Sequence, residues 1–213
     1  MPASGVWCAL VGLALVGLAP RPARSDTNAS AAELARRARA ACEDGRRAET
    51  RAARLAAFER GRALAERAVT LDQTSADAHF ALFCNLGELM RIDGESVSSV
   101  FGLRRLMAEV DRTLELDPGY TDALAAKGIL LLRLPRLLGG DAAKGEEMLR
   151  QVIQQDPNAF SSRIMLAKTC EARGERSEAI AFATRALQIA RAQGRADKVA
   201  EAQATLSELA AGD

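Results

Sequence analysis

Apolar and polar residues follow a helical period over most of the chain, and short turns interrupt the helical runs at regular intervals. Three stretches share one pattern, a helix tail, a turn at Asp-Pro or Asp-Gln and a fresh helix: AERAVTLDQTSADAHFAL (65–82), DRTLELDPGYTDALAAKG (111–128) and RQVIQQDPNAFSSRIMLA (150–167). Proline fits such a turn because it cannot continue a helix but can follow one. The aspartates at positions 72, 117 and 156 lie 45 and 39 residues apart. The pattern therefore predicts an array of repeated helix hairpins.

The segment at positions 160–191, FSSRIMLAKTCEARGERSEAIAFATRALQIAR, shows one repeat without gaps. It resembles a tetratricopeptide repeat, a helix-turn-helix of about 34 residues. Leu166 and Ala167 match the paired Leu-Gly position of that repeat, and Gly174 matches its turn. Ala179 and Ala186 match two small positions on the second helix, where a larger side chain would push the two helices apart.

The same register extends towards the N-terminus. The two small positions of the second helix then fall on Gly61, Leu106, Gly145 and Ala179, and on Ala68, Thr113, Val152 and Ala186. We therefore predict an all-α fold, a right-handed α-solenoid of about three to four tetratricopeptide-like hairpins with N-terminal helices and a C-terminal capping helix. The predicted repeats span residues 41–74, 76–119, 121–159 and 160–193, and the cap, which needs a polar outer face, spans 195–210. Before them, Asp44-Gly45 is expected to separate helical runs at 31–43 and 47–71.

Two inserts account for the spacings longer than one repeat. RIDGESVSSVFG (91–102) and LPRLLGG (134–140) each interrupt the turn between the two helices of a hairpin, and Asp141 is the expected N-cap of the helix that follows the second insert. The form P-x-L-x-G-G-D, followed by a helix and Asp-Pro, resembles the periplasmic T-component of tripartite ATP-independent (TRAP) transporters and, more distantly, the animal regulators of microtubule dynamics. The likeness covers roughly residues 60–190.

The first 25 residues have the pattern of an export signal. An apolar run extends from Val6 to Ala19, Pro and Arg follow it, and Ala23 and Ser25 lie where a cleavage site has small residues. This predicts a periplasmic protein whose mature domain spans residues 26–213. The segment has no Lys or Arg before the apolar run, so an uncleaved membrane tether is the alternative, although the run is shorter than the roughly 20 residues that a spanning helix needs.

The residues that usually carry catalysis or bind cofactors are scarce. The single histidine, His79, leaves no His pair for a metal and no Ser-His-Asp set. Gly139-Gly140 lacks the spacing of a phosphate-binding loop. Cys42, Cys84 and Cys170 are widely spaced and are expected to be buried and free, with a Cys84–Cys170 disulfide as the alternative. We predict neither an enzyme nor a cofactor or metal site.

Charge gives no reason to expect a nucleic-acid partner. The formal net charge is +1. Ten arginines lie between Arg36 and Arg67, but acids are interleaved with them, which favours a solvated helix face over a basic patch. Membrane contact is expected only if the N-terminal segment is not cleaved.

The resemblance to tetratricopeptide repeats also implies a binding surface. In that family, ligand contacts fall on the first helix of each repeat, on the concave side. Here those positions hold Asp77, Phe80, Cys84, Asp122, Ala125, Ile129, Ser161, Ile164, Lys168 and Glu171. Such a groove suits an amphipathic helix or an apolar peptide. The prediction is a non-enzymatic exported scaffold for a protein or peptide partner, and the alternative is a periplasmic TRAP-transporter-associated subunit that handles a small solute.

Overall fold

The computed structural model describes residues 29–93 and 99–211, which fold entirely into helices and the turns between them. Its nine α-helices are α1 Ala31–Arg47, α2 Arg51–Leu71, α3 Ala76–Asp93, α4 Ser99–Leu116, α5 Thr121–Arg133, α6 Ala142–Gln155, α7 Phe160–Ala172, α8 Arg176–Ala192 and α9 Ala196–Ala211. The predicted export signal and residues 94–98 of the first insert lie outside the described residues. No described helix is long and apolar enough to cross a membrane.

The helices pair as antiparallel hairpins that stack in chain order. The hairpins are α1–α2, α3–α4, α5–α6 and α7–α8, and α9 packs on both helices of the last one. The first helices of successive hairpins also pack on one another at α1–α3, α5–α7 and α7–α9. The predicted all-α solenoid of hairpins is confirmed. We call the surface carried by α1, α3, α5, α7 and α9 the A-helix face.

The register of small positions explains the hairpin packing. All eight positions assigned to the second helices are buried. Helices α5 and α6 cross closely, since a Cβ on Gly145 would lie 2.7 Å from the carbonyl oxygen of Gly128. Leu106 breaks the small-residue pattern on α4. It packs against Gly87 of α3, and because glycine has no side chain, the larger leucine fits there.

The recurring aspartates form one repeated turn. Asp72, Asp117 and Asp156 each accept a hydrogen bond at Oδ1 from the backbone N–H two residues later, at 2.9, 3.0 and 2.8 Å. An Asx-turn of this kind mimics a backbone turn. The repeat in the sequence thus corresponds to a repeat of local geometry between hairpins.

The predicted break at Asp44-Gly45 is wrong. Helix α1 continues through these residues to Arg47, and the break follows at residues 48–50, where the Thr50 hydroxyl caps α2 by accepting from the Ala53 N–H at 3.2 Å. Gly45 has a packing role, because a Cβ there would lie only 2.3 Å from the ring of Phe58.

The two inserts are built differently. In the second hairpin, α3 extends over 18 residues, against 13 in α5 and 13 in α7, so part of the first insert lengthens a helix. In the third hairpin, a short 3-10 helix at Arg136–Leu138 follows α5. The Asp141 side chain then accepts from the Lys144 N–H at 3.1 Å, which confirms the predicted N-cap of α6.

Candidate functional site

The ten predicted binding residues differ in how accessible they are. The structure leaves five of them exposed, two half-buried and three buried: Asp77, Asp122, Ser161, Lys168 and Glu171; Ala125 and Ile129; Phe80, Cys84 and Ile164. Charged and polar side chains therefore form the accessible part of the predicted surface. The three buried ones support it from below.

Three of the predicted residues meet in one cluster, together with two that the sequence did not single out. We call Arg39, Asp77, Phe80, Tyr120 and Asp122 the Arg39 cluster. The Arg39 guanidinium donates to the Tyr120 hydroxyl at 2.7 Å and to Asp122 at 2.9 Å. Tyr120 donates to Asp77 at 2.7 Å, and its ring centroid lies 4.9 Å from that of Phe80. Arg39 also lies 4.8 Å above the Phe80 ring, within the range of a cation–π contact.

The Arg39 cluster joins three hairpins. Arg39 belongs to α1, Phe80 to α3 and Asp122 to α5, and Tyr120 immediately precedes α5. Helices α3 and α5 contact each other less than the other successive first helices do. The Tyr120–Asp77 hydrogen bond and the Tyr120–Phe80 ring contact therefore provide much of the link across this part of the A-helix face.

Both ionisable donors of the cluster keep their protons. Burial and the hydrogen bond to Asp77 raise the pKa of Tyr120, so its hydroxyl remains a donor at neutral pH. Burial lowers the pKa of Arg39, but the hydrogen bond to Asp122 and neighbouring negative groups outweigh it and leave the pKa raised. Asp77 and Asp122 remain exposed while they accept these bonds.

A second cluster lies next to the first, between α1 and α3. We call Cys42, Arg46, Cys84, Glu88 and Arg91 the Arg46 cluster. Arg46 donates to Glu88 at 2.7 Å and to the sulfur of Cys84 at 3.3 Å, and Arg91 donates to Glu88 at 3.0 Å. The Glu88 side chain is only 4% exposed. Its charge is thus offset by two guanidinium groups.

The remaining predicted residues lie farther along the face, on α5 and α7. Ala125 packs against the core of the third hairpin, and Ile164 belongs to a core cluster with Phe160 and Ala202. No described hydrogen bond joins the Arg39 cluster to the other four predicted residues on these helices, which are Ile129, Ser161, Lys168 and Glu171.

Sequence reasoning missed Arg39, Tyr120, Arg46 and Glu88. The two arginines are seven residues apart on α1, so they lie on one side of that helix. Tyr120 is the single tyrosine of a chain with 4% aromatic residues. The spacing of the two arginines and the single tyrosine are both visible in the sequence. Neither feature indicates which distant residues contact these side chains in the fold.

The cysteines and the histidine have different surroundings. The three described cysteines are free, and Cys84 and Cys170 belong to separate core clusters, so the alternative bridge between them is not formed. His79 is buried, with Nδ1 2.7 Å from Glu109 and Nε2 3.2 Å from the carbonyl oxygen of Gln73.

One group of possible metal ligands is found among residues 29–93 and 99–211, formed by Cys170, Glu175 and Glu178. Arg173 donates to Glu175 at 2.5 Å, and Arg150 donates to Glu178 at 2.9 Å. Burial raises the pKa of the Cys170 thiol to about 11, which keeps it protonated at neutral pH. The group is better described as part of an arginine–carboxylate network than as a preformed metal site.

The same network borders an open depression of about 560 Å³ on α6, lined by Ala143, Glu146, Glu147, Arg150, Gln151, Gln154 and Arg173. Glu146 accepts from both Arg150 and Arg173 there. This depression contains none of the ten predicted binding residues, since α6 is a second helix and lies outside the A-helix face.

Comparison with known proteins gives the fold and little more. No family model matches the chain, and no curated protein matches it. Among solved structures, it is similar to TTC0263, a thermophilic TPR protein in Thermus thermophilus, with 18% identity, a TM-score of 0.62 and coverage of 85% of this chain and 84% of that one.

Two further solved structures align with lower scores. MamA aligns at 19% identity with a TM-score of 0.48, over 65% of this chain and 72% of its own. YrrB, described as a TPR protein with an unusual peptide-binding site, aligns at 17% identity with a TM-score of 0.39, over 68% of this chain and 83% of its own. Of these three alignments, that with TTC0263 exceeds a TM-score of 0.5, and it shows that the chain has a tetratricopeptide-like fold.

Proposed function

We propose that this chain is an exported, non-enzymatic scaffold that binds a protein or peptide segment on the A-helix face of its first three hairpins. The observation that carries the proposal is the Arg39 cluster, in which side chains from three hairpins meet on one face. Stacked hairpins commonly use an extended surface of this kind for binding. The hydrogen bonds within the cluster fix its side chains in advance, which lowers the entropy cost of binding a partner.

The chemistry of the surface favours a cationic residue in the partner. Asp77 and Asp122 are exposed carboxylates that accept hydrogen bonds from Tyr120 and Arg39, respectively. A Lys or Arg side chain of the partner would gain a charge-assisted hydrogen bond to either carboxylate. Half-buried Ala125 and Ile129 on α5 offer apolar contacts next to it. The proposed ligand is thus a peptide segment with a basic residue beside apolar ones.

Selection from a random peptide library displayed on phage tests this proposal, followed by calorimetry with the selected peptides made synthetically. We expect Asp122→Lys to weaken binding by about tenfold or more, the equivalent of about 1.4 kcal/mol. Glu115→Lys is the matched control, since Glu115 is also an exposed carboxylate paired with an arginine but lies on α4. Equal affinities for the two variants, both with native circular dichroism, would overturn the proposal.

The non-enzymatic part of the proposal is supported by the pairing of the charged groups on this face. Arg39 and Arg46 donate to neighbouring side chains, and the Tyr120 hydroxyl is engaged on both sides. None of these groups is a free base or nucleophile poised beside a cavity. Turnover in a broad hydrolase and transferase screen, abolished by Asp122→Lys, would contradict it.

The exported location is supported by the signal-like pattern of residues 1–25. Expression in a Gram-negative host, fractionation and mass spectrometry of the N-terminus would test it. A mature chain beginning at Asp26 in the periplasmic fraction is the expected result. An intact chain in the membrane fraction would favour the tethered alternative, and an intact chain in the cytoplasm would contradict export.

The second candidate function is a subunit associated with a TRAP transporter. It is favoured by the insert after α5, where Leu137 is 98% exposed and Leu138 is 42% exposed. Apolar side chains at the tip of an insert would be covered if a second copy packed there. Light scattering of the chain and of Leu137→Ser, with Leu71→Ser as an exposed control, tests this. A plain monomer in all three samples would remove its support.

A further inference from the structure

Two thiols meet where the first hairpin packs on the second. Cys42 lies on α1 and Cys84 on α3, and both belong to one core cluster with Phe58 and Leu89. The pair lies between two contacts that join α1 to α3, from Arg46 to the Cys84 sulfur and from Asn85 to the Ala38 carbonyl oxygen, and neither cysteine is in a disulfide. The third described cysteine, Cys170, lies in the fourth hairpin, away from this pair.

The surroundings of the pair make its two sulfurs unequal. The neighbouring Cys42 thiol lowers the pKa of Cys84 to about 7, against burial, and the charges of Arg46 and Arg39 act in the same direction. The proximity of Cys84, together with burial, raises the pKa of Cys42. Arg46 donates directly to the Cys84 sulfur at 3.3 Å. Cys84 thus has the character of a nucleophilic thiolate, and Cys42 is its protonated neighbour.

The exposure of the two residues matches these roles. Cys84 is 9% exposed and belongs to the A-helix face, whereas Cys42 is fully buried. A small reagent therefore reaches Cys84 first, and Cys42 is held where it can attack only its neighbour. Reactive dithiol sites share this division between an attacking and a resolving cysteine.

We propose that Cys42 and Cys84 are a redox-active dithiol that small disulfides oxidise to a bond between α1 and α3. The Cys84 thiolate attacks one sulfur of the small disulfide, and the other sulfur leaves as a thiolate. The Cys42 sulfur then attacks Cys84 in the mixed disulfide and releases the second small thiolate, which takes up the Cys42 proton. Two protein thiols are oxidised and one small disulfide is reduced to two thiols.

The bond would lock the first hairpin to the second beneath the A-helix face. Arg46 would lose the negative sulfur as a partner and keep Glu88. The oxidation requires only the two helices and a disulfide reagent, so it is independent of which ligand the A-helix face binds.

Incubation of the folded chain with defined mixtures of reduced and oxidised glutathione, followed by acid quenching, alkylation and peptide mass spectrometry, tests the proposal. The expected product is a Cys42–Cys84 cross-linked peptide that lacks two hydrogen atoms, formed while Cys170 remains alkylatable. Cys42→Ser should accumulate a mixed disulfide at Cys84, and Cys84→Ser should leave Cys42 unmodified. Arg46→Gln should slow the reaction at pH 7 by several fold, and Arg46→Lys should restore most of the rate.

Two results would overturn it. In one, the native chain, with its fold verified by circular dichroism, stays fully alkylated at Cys42 and Cys84 in oxidised glutathione. In the other, Cys170 is oxidised as readily as Cys84. Both outcomes are measured on the native chain, so the test does not depend on whether a variant folds.

Discussion

The fourth hairpin and the first two hairpins share one architecture but are packed with different side chains. Between α7 and α8 the contacts are made by small residues such as Ala167, Ala179 and Ala183, all fully buried. Between α1, α2 and α3 the interior holds the ring of Phe58 and the amide of Asn85, which donates to the Ala38 carbonyl oxygen at 3.0 Å. Both ends bury polar groups, Ser162 and Arg163 on α7 among them, but the Arg46–Glu88 pair and the contact of Arg46 with the Cys84 sulfur belong to the first two hairpins.

The difference indicates where function lies in a repeat array. A hairpin packed only through alanines can be stable with no special surface, because close backbone approach provides the dispersion contacts. Buried polar and charged groups cost desolvation unless they are paired, so their presence near the A-helix face calls for a reason other than stability. The proposed binding surface and the dithiol supply that reason.

The largest expected effect is at Phe58. Phe58→Ala should lower the free energy of unfolding by about 3–5 kcal/mol, because a fully buried ring is replaced by a cavity beneath Gly45. Chemical denaturation measures the change. Phe101→Ala is the control, since Phe101 is 77% exposed and should change stability by less than about 0.5 kcal/mol. Similar losses for both would show that the interior of the first hairpins is not packed around this ring.

The next effect is at the small-residue contact of the fourth hairpin. Ala179→Trp should cost about 1–3 kcal/mol or more, because the indole overfills a fully buried contact between α8 and α7. Ala181→Trp makes the same change two residues along α8 at an exposed position and should cost below about 1 kcal/mol. Thermal melts of both variants measure the loss of stability. Equally small decreases in melting temperature would contradict the assigned repeat register.

The smallest effect concerns charges outside the A-helix face. Hydrogen bonding to Arg173, followed by that to Arg150, lowers the pKa of Glu146, although burial opposes this. The folded pKa is below the unfolded value of about 4.3, so the stabilisation is present above that value and is lost as the pH falls through the folded pKa. Glu146→Gln should cost roughly 0.5–1 kcal/mol at pH 7.

Denaturation curves recorded from pH 7 down to pH 2 measure this dependence. The difference between the native chain and Glu146→Gln should vanish at the acid end. Glu147→Gln, at the exposed neighbouring position, is the matched control. A Glu146→Gln difference that persists or grows at low pH would refute the assignment of this ion pair.

Much of the fold could be predicted from the sequence because its determinants are local and repeated. The Asp72, Asp117 and Asp156 turns and the Asp141 cap each depend on atoms two or three residues away. The small positions recur at the repeat spacing, so one clear unit fixed the register of the others. Gly45 was misassigned because a glycine in a helical run often marks a break, whereas its cause is the Phe58 ring on the next helix.

The candidate site was less predictable because its contacts are long-range. The family pattern selected Asp77, Phe80 and Asp122, which the structure brings together in one cluster. It could not select Arg39, whose nearby acids favoured a solvated role, because its partner Tyr120 lies 81 residues away in the chain. The burial of Cys84 likewise depends on Cys42 of α1 and Phe58 of α2, which lie far away in the chain.

The most direct test of the central claim is amide chemical-shift mapping of the native chain with a phage-selected peptide. The account predicts that the shifted amides belong to α1, α3 and α5, around Arg39, Asp77 and Asp122, with none in α6. Shifts centred on the α6 depression near Glu147 and Gln151, with the A-helix face unchanged, would contradict it.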